Sequence, residues 1–495
     1  MQVNRTYLSF EDIVEYILPT SIFRIFRNLK RIYKATKFLA DAFIINLIMM
    51  LFRKNDKAKD LYRKVWKRKN SNEECKDEDA KLSSIRPFKI SVLDSVLDDL
   101  KSRLETTRFS ASSTNSNFNN GLSTVHLKKF IDYWKTEFDW RKQEQELNKC
   151  PQFKTRIENI DIHFLHFKVN QRHDTKVKLI PLLLIHNWPG SFADFHKVIP
   201  ILQASCLNQE FVFEIVCPSL PGCGFSEAPL QTDFQAINLS QILLALMDRL
   251  GYKEFYVHGY GWGALTASLM ARYYPYNVKG MHVNMCFALP NLLDSFIKTL
   301  VVSICPIFIN SAEHDILFPL KKKLRTLLQE TGFLHMQCTK PDTLGCAVTD
   351  SPTALAIHVL EKFLFKKNSH HSQPQEGDLK GKFFDDLLTL ITIIWVSDHF
   401  GNGARFLKES ISAVLQRKHE NGLPLTVPCG IAFFPDEIFM LPKYMMENMV
   451  EDLASYTIMP RGGHFAALEE PQLLAQDILK FIQLIENRSS KKFKK

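Results

Sequence analysis

The chain has 495 residues and 45% of them are hydrophobic, which is enough for a sizeable core and excludes a disordered or fibrous protein. Its net charge of +10 is concentrated in residues 24–69 and in the tail lysines Lys491, Lys492, Lys494 and Lys495. This crowding predicts a patch that faces an anionic surface. A lipid surface is favoured over nucleic acid, because no nucleic-acid-binding motif accompanies the charge.

The cysteines and the composition of the N-terminus indicate in which cellular compartment the globular part is expected. The ten cysteines form no CxxC pair and no dense framework, so we expect reduced thiols. The first residues are not expected to be a secretory signal, because Glu11, Asp12 and Glu15 interrupt them and an apolar core is lacking. The globular part is therefore expected to face the cytosol. Nothing in the sequence predicts a cofactor or a metal.

Two consecutive segments near the N-terminus have the character of membrane-associating helices. Residues 22–36 place apolar side chains at helical spacing among Arg and Lys, which is typical of a helix lying on an anionic membrane. Residues 38–52 are apolar apart from Asp41 and Asn46. Fifteen helical residues extend about 22 Å, less than the roughly 30 Å hydrocarbon core. We favour a membrane anchor, either spanning or lying in the interface, over a helix packed on the protein's own core.

Composition and periodicity predict six segments along the chain. They are a membrane-associating segment at 1–54, a charged linker at 55–84, a helical subdomain at 85–150, a first α/β core part at 151–289, a helical cap at 290–424, and a second core part with a basic tail at 425–495. Helices are predicted at Asp94–Leu104 and Thr124–Trp140, and alternation at Ile160–Phe164 predicts the first strand.

The remaining pattern predicts a doubly wound sheet. The apolar run Pro181–Ile185 is typical of a buried parallel strand, and Phe211–Val216 follows it as another. The alternation of strands and helices predicts an α/β fold with a mostly parallel sheet. At Glu254–Tyr274 a strand breaks at glycines and resumes as a helix. The turn Gly259–Gly263, GYGWG, has the spacing of the elbow that holds a nucleophile in α/β-hydrolases.

Several longer motifs occur in a consistent order. They are HNWPGS at 186–191, PGCGFSEA at 221–228, GYGWG at 259–263, TKPDTLGCAVTDSP at 339–352, EKF at 361–363 and RGGHFAALEEP at 461–471. Together they resemble the membrane-associated epoxide hydrolases, namely the microsomal enzyme and the insect juvenile hormone epoxide hydrolases. The resemblance extends from about residue 85 to 484. It implies an α/β-hydrolase fold with a helical cap, an N-terminal helical subdomain and a membrane anchor.

The resemblance also implies a reaction. In this family an Asp at the elbow attacks an epoxide carbon, two cap tyrosines donate protons to the opening oxygen, and a His backed by a carboxylate activates the water that cleaves the ester. Backbone N–H groups stabilise the tetrahedral intermediate. His464 matches the base, and Glu437 matches its carboxylate, with Asp436 as a neighbouring alternative. Trp188 and Trp262 match the oxyanion-hole donors, although Asn187 replaces the more usual glycine.

Three groups of that reaction are missing from this chain. The family pattern GGDWG is GYGWG here, so Gly261 stands at the nucleophile position. The two tyrosine positions carry Phe333 and Leu407. All three changes affect groups that touch the epoxide, so the sequence predicts impaired catalysis in a pocket made more apolar.

Three hypotheses of different classes follow from these residues. The first is a pseudoenzyme that binds hydrophobic epoxides or lipids at the endoplasmic reticulum membrane. The second is a slow epoxide hydrolase or esterase in which His464 and Glu437 drive water directly onto the substrate. The third is a purely structural membrane partner, which has no motif of its own. The first is favoured, with a hydrophobic small molecule and the membrane as partners and with no nucleic acid.

Overall fold

A computed structural model describes the protein over residues 83–110, 121–169, 177–205, 211–285, 319–364, 382–416 and 424–492. The predicted anchor at 38–52 and the basic helix at 22–36 lie outside these ranges, as does nearly all of the linker at 55–84. Within the described ranges, no helix combines the length and the hydropathy that crossing a bilayer requires.

In the described part of the chain, nine strands form one sheet. They are β1 Arg86–Pro87, β2 Gln152–Ile157, β3 Ile160–Phe167, β4 Lys178–Ile185, β5 Phe211–Pro218, β6 Phe255–Gly259, β7 Val278–Val283, β8 Cys429–Phe433 and β9 Leu453–Ile458. Their order is β1-β2-β3-β5-β4-β6-β7-β8-β9. The strands from β4 to β9 pair in parallel, whereas β1, β2 and β3 are joined in antiparallel fashion. The mostly parallel α/β sheet that the sequence predicted is confirmed.

The strand at Ile160–Phe167 is not the first strand, so that detail of the sequence-based prediction was wrong. It is the second arm of a hairpin with β2, a segment at the start of the 151–289 core part that the sequence had not predicted as a strand. The turn residues Glu158 and Asn159 have φ of 48° and 62°. Two successive positive φ values are what a tight two-residue hairpin turn requires, and neither residue is the glycine that usually marks such a turn.

The described helices flank this sheet. They are α1 Asp94–Glu105, α2 Thr124–Thr136, α3 Trp140–Leu147, α4 Val198–Ser205, α5 Ala236–Arg249, α6 Trp262–Tyr273, α7 Leu320–Glu330, α8 Gly332–Thr339, α9 Pro341–Asp350, α10 Pro352–Leu364, α11 Lys382–Ser397, α12 Phe400–Leu415, α13 Lys443–Met446, α14 Ala466–Glu469 and α15 Pro471–Lys492. The predicted helix Thr124–Trp140 is divided into two. The reason is local, because the Asp139 carboxylate accepts a hydrogen bond from the Lys142 N–H at 3.1 Å and starts the second helix.

The sheet is buried on both faces. Along β4, Leu183 and Ile185 belong to one hydrophobic cluster, while Leu182 and Leu184 belong to another. Alternate side chains of one strand therefore enter two separate cores, which explains why the strand is a continuous apolar run. The helices α5 and α6 contribute side chains to the first cluster, and α4 and α15 contribute side chains to the second.

Candidate active site

The turn between β6 and α6 has the geometry of a nucleophile elbow. Gly261 has φ 53° and ψ −123°, a conformation that is costly for a residue with a side chain. A Cβ atom at Gly263 would lie 2.2 Å from the carbonyl oxygen of Ile185, so only glycine fits there. The predicted strand, turn and helix are thus present, and the tip of the turn points to a site above the end of β4.

The place that a side chain at position 261 would take is occupied by Asn187. A Cβ atom at Gly261 would lie only 1.9 Å from Asn187 Oδ1 and 2.1 Å from its Cγ. The same Oδ1 accepts a hydrogen bond of 2.9 Å from the backbone N–H of Trp262. One of the two donors that the sequence predicted for the oxyanion hole is therefore satisfied from within the protein.

Asn187 lies in a loop that is held by two hydrogen bonds of its neighbour His186. Its carbonyl oxygen accepts a 2.7 Å hydrogen bond from His186 Nδ1, and the N–H of Leu220 donates to His186 Nε2 at 3.1 Å. Burial lowers the pKa of His186 to about 4, so the imidazole is neutral and both bonds can form. Asn187 itself is 1% exposed, so its amide position is set by buried contacts.

His464 and Glu437 form the pair that the sequence predicted. His464 Nδ1 lies 2.7 Å from Glu437 Oε2, and Glu437 Oε1 accepts a second hydrogen bond from the N–H of Phe439 at 2.9 Å. It is Glu437, not the alternative Asp436, that contacts the ring. Burial lowers the pKa of His464, but the charge of Glu437 and its hydrogen bond outweigh that effect, so the pKa lies above the ordinary 6.5.

The other ring nitrogen of His464 faces the same asparagine. Asn187 Nδ2 lies 2.7 Å from His464 Nε2. Because Oδ1 of Asn187 accepts from Trp262, the NH₂ group is the one that points to the ring and donates to it. This arrangement requires His464 to carry its proton on Nδ1, and it opposes protonation of Nε2. The nitrogen that would activate water is therefore engaged.

Tyr260, the residue before Gly261 in the elbow, is buried and contacts both Asp194 and His464. Its hydroxyl donates to the buried carboxylate of Asp194, and its ring lies edge-on to His464 with centroids 6.3 Å apart. Burial raises the pKa of Asp194 to about 7, although the Tyr260 hydroxyl acts in the opposite direction. The residue that replaces the second glycine of the family pattern therefore packs into the core rather than into the site.

A cavity of about 480 Å³ opens above the elbow and is lined by cap helices and strand-end loops. The residues that line it include Gly261, Trp262, His464, Trp188, Phe333 and Leu407. Trp188 is 3% exposed and donates from its indole Nε1 to Gln337 Oε1 at 3.1 Å. The structure thus gathers the predicted site residues around one cavity, with Glu437 one contact behind it.

Three residues at this site were not assigned a role from the sequence. The sequence shows that Asn187 stands where the family usually has glycine, but it does not show that the Asn187 amide lies against Gly261. Lys362 and Glu469 both line the cavity, and burial lowers the pKa of Lys362 to about 7 and raises that of Glu469 to about 7. Lys362 falls within the EKF motif, which marked its position without indicating its burial.

Comparisons with known proteins agree with this geometry. Residues 85–195 match the family described as Epoxide hydrolase N terminus, and residues 180–323 match the alpha/beta hydrolase fold. The chain is 43% identical to Epoxide hydrolase 1 of Sus scrofa over 412 residues, which are 82% of this chain and 90% of that protein. It is 40% identical to Juvenile hormone epoxide hydrolase 2 of Ctenocephalides felis, over 83% of this chain and 88% of the flea protein. The crystal structure of juvenile hormone epoxide hydrolase from the silkworm Bombyx mori superposes with a TM-score of 0.76 at 33% identity, covering 82% of this chain and 96% of that one.

Proposed function

The chain belongs to the epoxide hydrolase family of α/β-hydrolases, and we propose that it binds hydrophobic epoxides or lipids without opening the epoxide ring at an appreciable rate. The cavity supplies the binding site. Its lining is largely apolar and aromatic, as in small-molecule sites that are formed before the ligand arrives.

The observation that carries this proposal is the position of the Asn187 amide. It lies where the Cβ atom of a side chain at position 261 would be, accepts from the Trp262 N–H and donates to His464 Nε2. A carboxamide is not the carboxylate nucleophile that forms an alkyl ester in this family. The amide therefore fills the space next to the elbow and supplies no nucleophile.

Among the residues that the structure describes, the cavity also lacks the two phenol groups that the family resemblance expects to donate protons to the epoxide oxygen. Phe333 and Leu407 line the cavity where the family resemblance expects phenol hydroxyls. Loss of a general acid costs about 10²–10⁴-fold in rate, and loss of the nucleophile removes the covalent route. Both changes reduce turnover and leave apolar binding surface in place.

A second candidate function is slow hydrolysis of an epoxide or ester by water that His464 activates. The 2.7 Å contact between His464 Nδ1 and Glu437, with the raised pKa of His464, favours it. It requires Asn187 to release Nε2. The first candidate is preferred because the described contacts already satisfy that nitrogen.

We also propose that the protein resides at the endoplasmic reticulum membrane with its globular part facing the cytosol. The support is the sequence of residues 22–52, where a basic amphipathic segment precedes an apolar one. The pattern favours an attachment dominated by apolar burial rather than by charge.

Binding is tested by matched variants on helix α12. Leu407→Trp places a larger side chain at the cavity wall, whereas Leu415→Trp adds the same side chain at a position that is 67% exposed. Calorimetric titration with 1-decanol and with styrene oxide should give saturable binding to the parent and to Leu415→Trp, and weaker binding to Leu407→Trp. Equal binding to both variants, or none to the parent, would contradict the proposal.

A further inference from the structure

Lys362 is the cavity residue whose chemistry the proposed function does not use. It lies on α10, is half-buried and lines the cavity. Its Nζ donates to the carbonyl oxygen of His358 one turn earlier and lies 4.3 Å from the ring centroid of Phe333. Within the described ranges it forms no ion pair with a carboxylate.

The surroundings of this amine favour its uncharged form. Burial lowers its pKa to about 7, and the nearby Glu361 charge only partly opposes that effect. A lysine held in an apolar pocket without a counter-ion is nucleophilic at neutral pH, because a large fraction carries a lone pair. Lys323 also lines the cavity, and burial lowers its pKa, with the charge of Glu437 opposing that effect. Its Nζ donates to the Ile438 carbonyl oxygen at 2.8 Å, so Lys323 is a matched control for Lys362.

A proton donor lies in the same cavity. Glu469 is half-buried, its Oε1 accepts from the Phe465 N–H at 3.0 Å, and burial raises its pKa to about 7. Glu469 and Lys362 both line the cavity, and the charge of each acts on His464. Near neutral pH the cavity therefore offers an uncharged amine and a carboxyl group that is partly protonated.

We propose that Lys362 captures apolar aldehydes in the cavity as a reversible imine. The proposal rests on the proposed function, because the same cavity must first bind an apolar ligand. The amine lone pair attacks the carbonyl carbon, the C–N bond forms as the carbonyl π electrons move to oxygen, and a proton passes from nitrogen to that oxygen. Loss of water then breaks the C–O bond and forms C=N, with Glu469 supplying the proton that leaves in the water and taking back the remaining N–H proton, so that its carboxyl group is restored. Amine and aldehyde become imine and water, and no oxidant or reductant is consumed.

Reductive trapping of the full-length protein tests this inference. Decanal and cyanoborohydride are added, and the modified lysine is located by mass spectrometry of peptides. The expected result is one adduct at Lys362, formed at least about tenfold faster than at any exposed lysine and faster as the pH rises through 7. Lys362→Met should lose this adduct, whereas the matched Lys323→Met should retain it.

A measurement on the unmodified chain guards against misfolding of the variants. Excess 1-decanol cannot form an imine, so it should protect Lys362 from decanal by occupying the cavity. Labelling that is spread over exposed lysines and is not reduced by decanol would overturn the inference. If decanol binds in the calorimeter but Lys362 is not labelled, the imine proposal fails while the binding function stands. If decanol does not bind, the proposed function itself fails.

Discussion

Gly261→Asp restores the residue type of the family nucleophile, and the structure predicts that it is strongly destabilising on its own. An aspartate at φ 53° costs about 1–3 kcal/mol of backbone strain. Its Cβ would lie 1.9 Å from Asn187 Oδ1, so the amide must leave. Asn187 then gives up its bonds to Trp262 and His464, at about 0.5–1.5 kcal/mol each. The expected loss in unfolding free energy is about 2–6 kcal/mol.

Adding Asn187→Gly to Gly261→Asp should relieve part of that loss of stability. Asn187→Gly removes the two hydrogen bonds by itself, so in the double variant they are lost only once. The double variant should therefore be about 1–3 kcal/mol more stable than the sum of the two single changes predicts. Urea unfolding followed by tryptophan fluorescence measures all four proteins.

Gly251→Asp is the matched control. Gly251 has φ 89°, and a Cβ there would meet no atom within 4 Å, so this change introduces strain without a clash. Its effect should be additive with Asn187→Gly. If Gly261→Asp is also additive with Asn187→Gly to within about 0.5 kcal/mol, then the two positions do not compete for one volume and the reasoning is refuted.

Three further predictions follow from the same residues. Asn187→Gly should raise the pKa of His464, because it removes a donor that opposes protonation, and Glu437→Gln should lower it, because it removes the attracting charge. NMR titration of the imidazole ring measures both pKa values. An unchanged pKa in either variant would argue against the corresponding contact. Folded Lys362 releases its proton near pH 7 and the unfolded chain near 10.5, so the unfolded state binds more protons between these values. The unfolding free energy of the parent should therefore rise with pH in that window relative to Lys362→Met, and parallel curves would contradict the shift. Full-length protein should remain with membranes in high salt, whereas release by salt alone would refute insertion of residues 38–52.

The sequence was sufficient for the parts of the site that depend on local pattern. The change from a β-branched strand to an apolar-periodic helix at Glu254–Tyr274 predicted the elbow, since both periods are encoded in neighbouring residues. The apolar run before His186 predicted a strand covered on both faces. The hairpin at Glu158 and Asn159 was missed, because residues other than glycine adopt its positive φ values.

The relation between Asn187 and Gly261 could not be predicted in the same way. Both departures from the family pattern are visible in the sequence, but the amide and the elbow meet only when β4 and β6 pair in the sheet. The lowered pKa of Lys362 likewise depends on its burial in the folded protein. The sequence shows which residues stand at the positions of the family pattern, whereas only tertiary contacts show what surrounds them.

The most direct test of the account is a single-turnover reaction of the purified full-length protein with styrene oxide. The reaction is quenched and examined for diol and for an alkyl ester on the protein, alongside His464→Ala as the control for general-base chemistry. We expect no ester on any Asp or Glu, and diol formation no faster than with His464→Ala. An ester on a carboxylate of the cavity, or diol formation that disappears in His464→Ala, would contradict the claim that Asn187 has replaced the nucleophile without its reactivity.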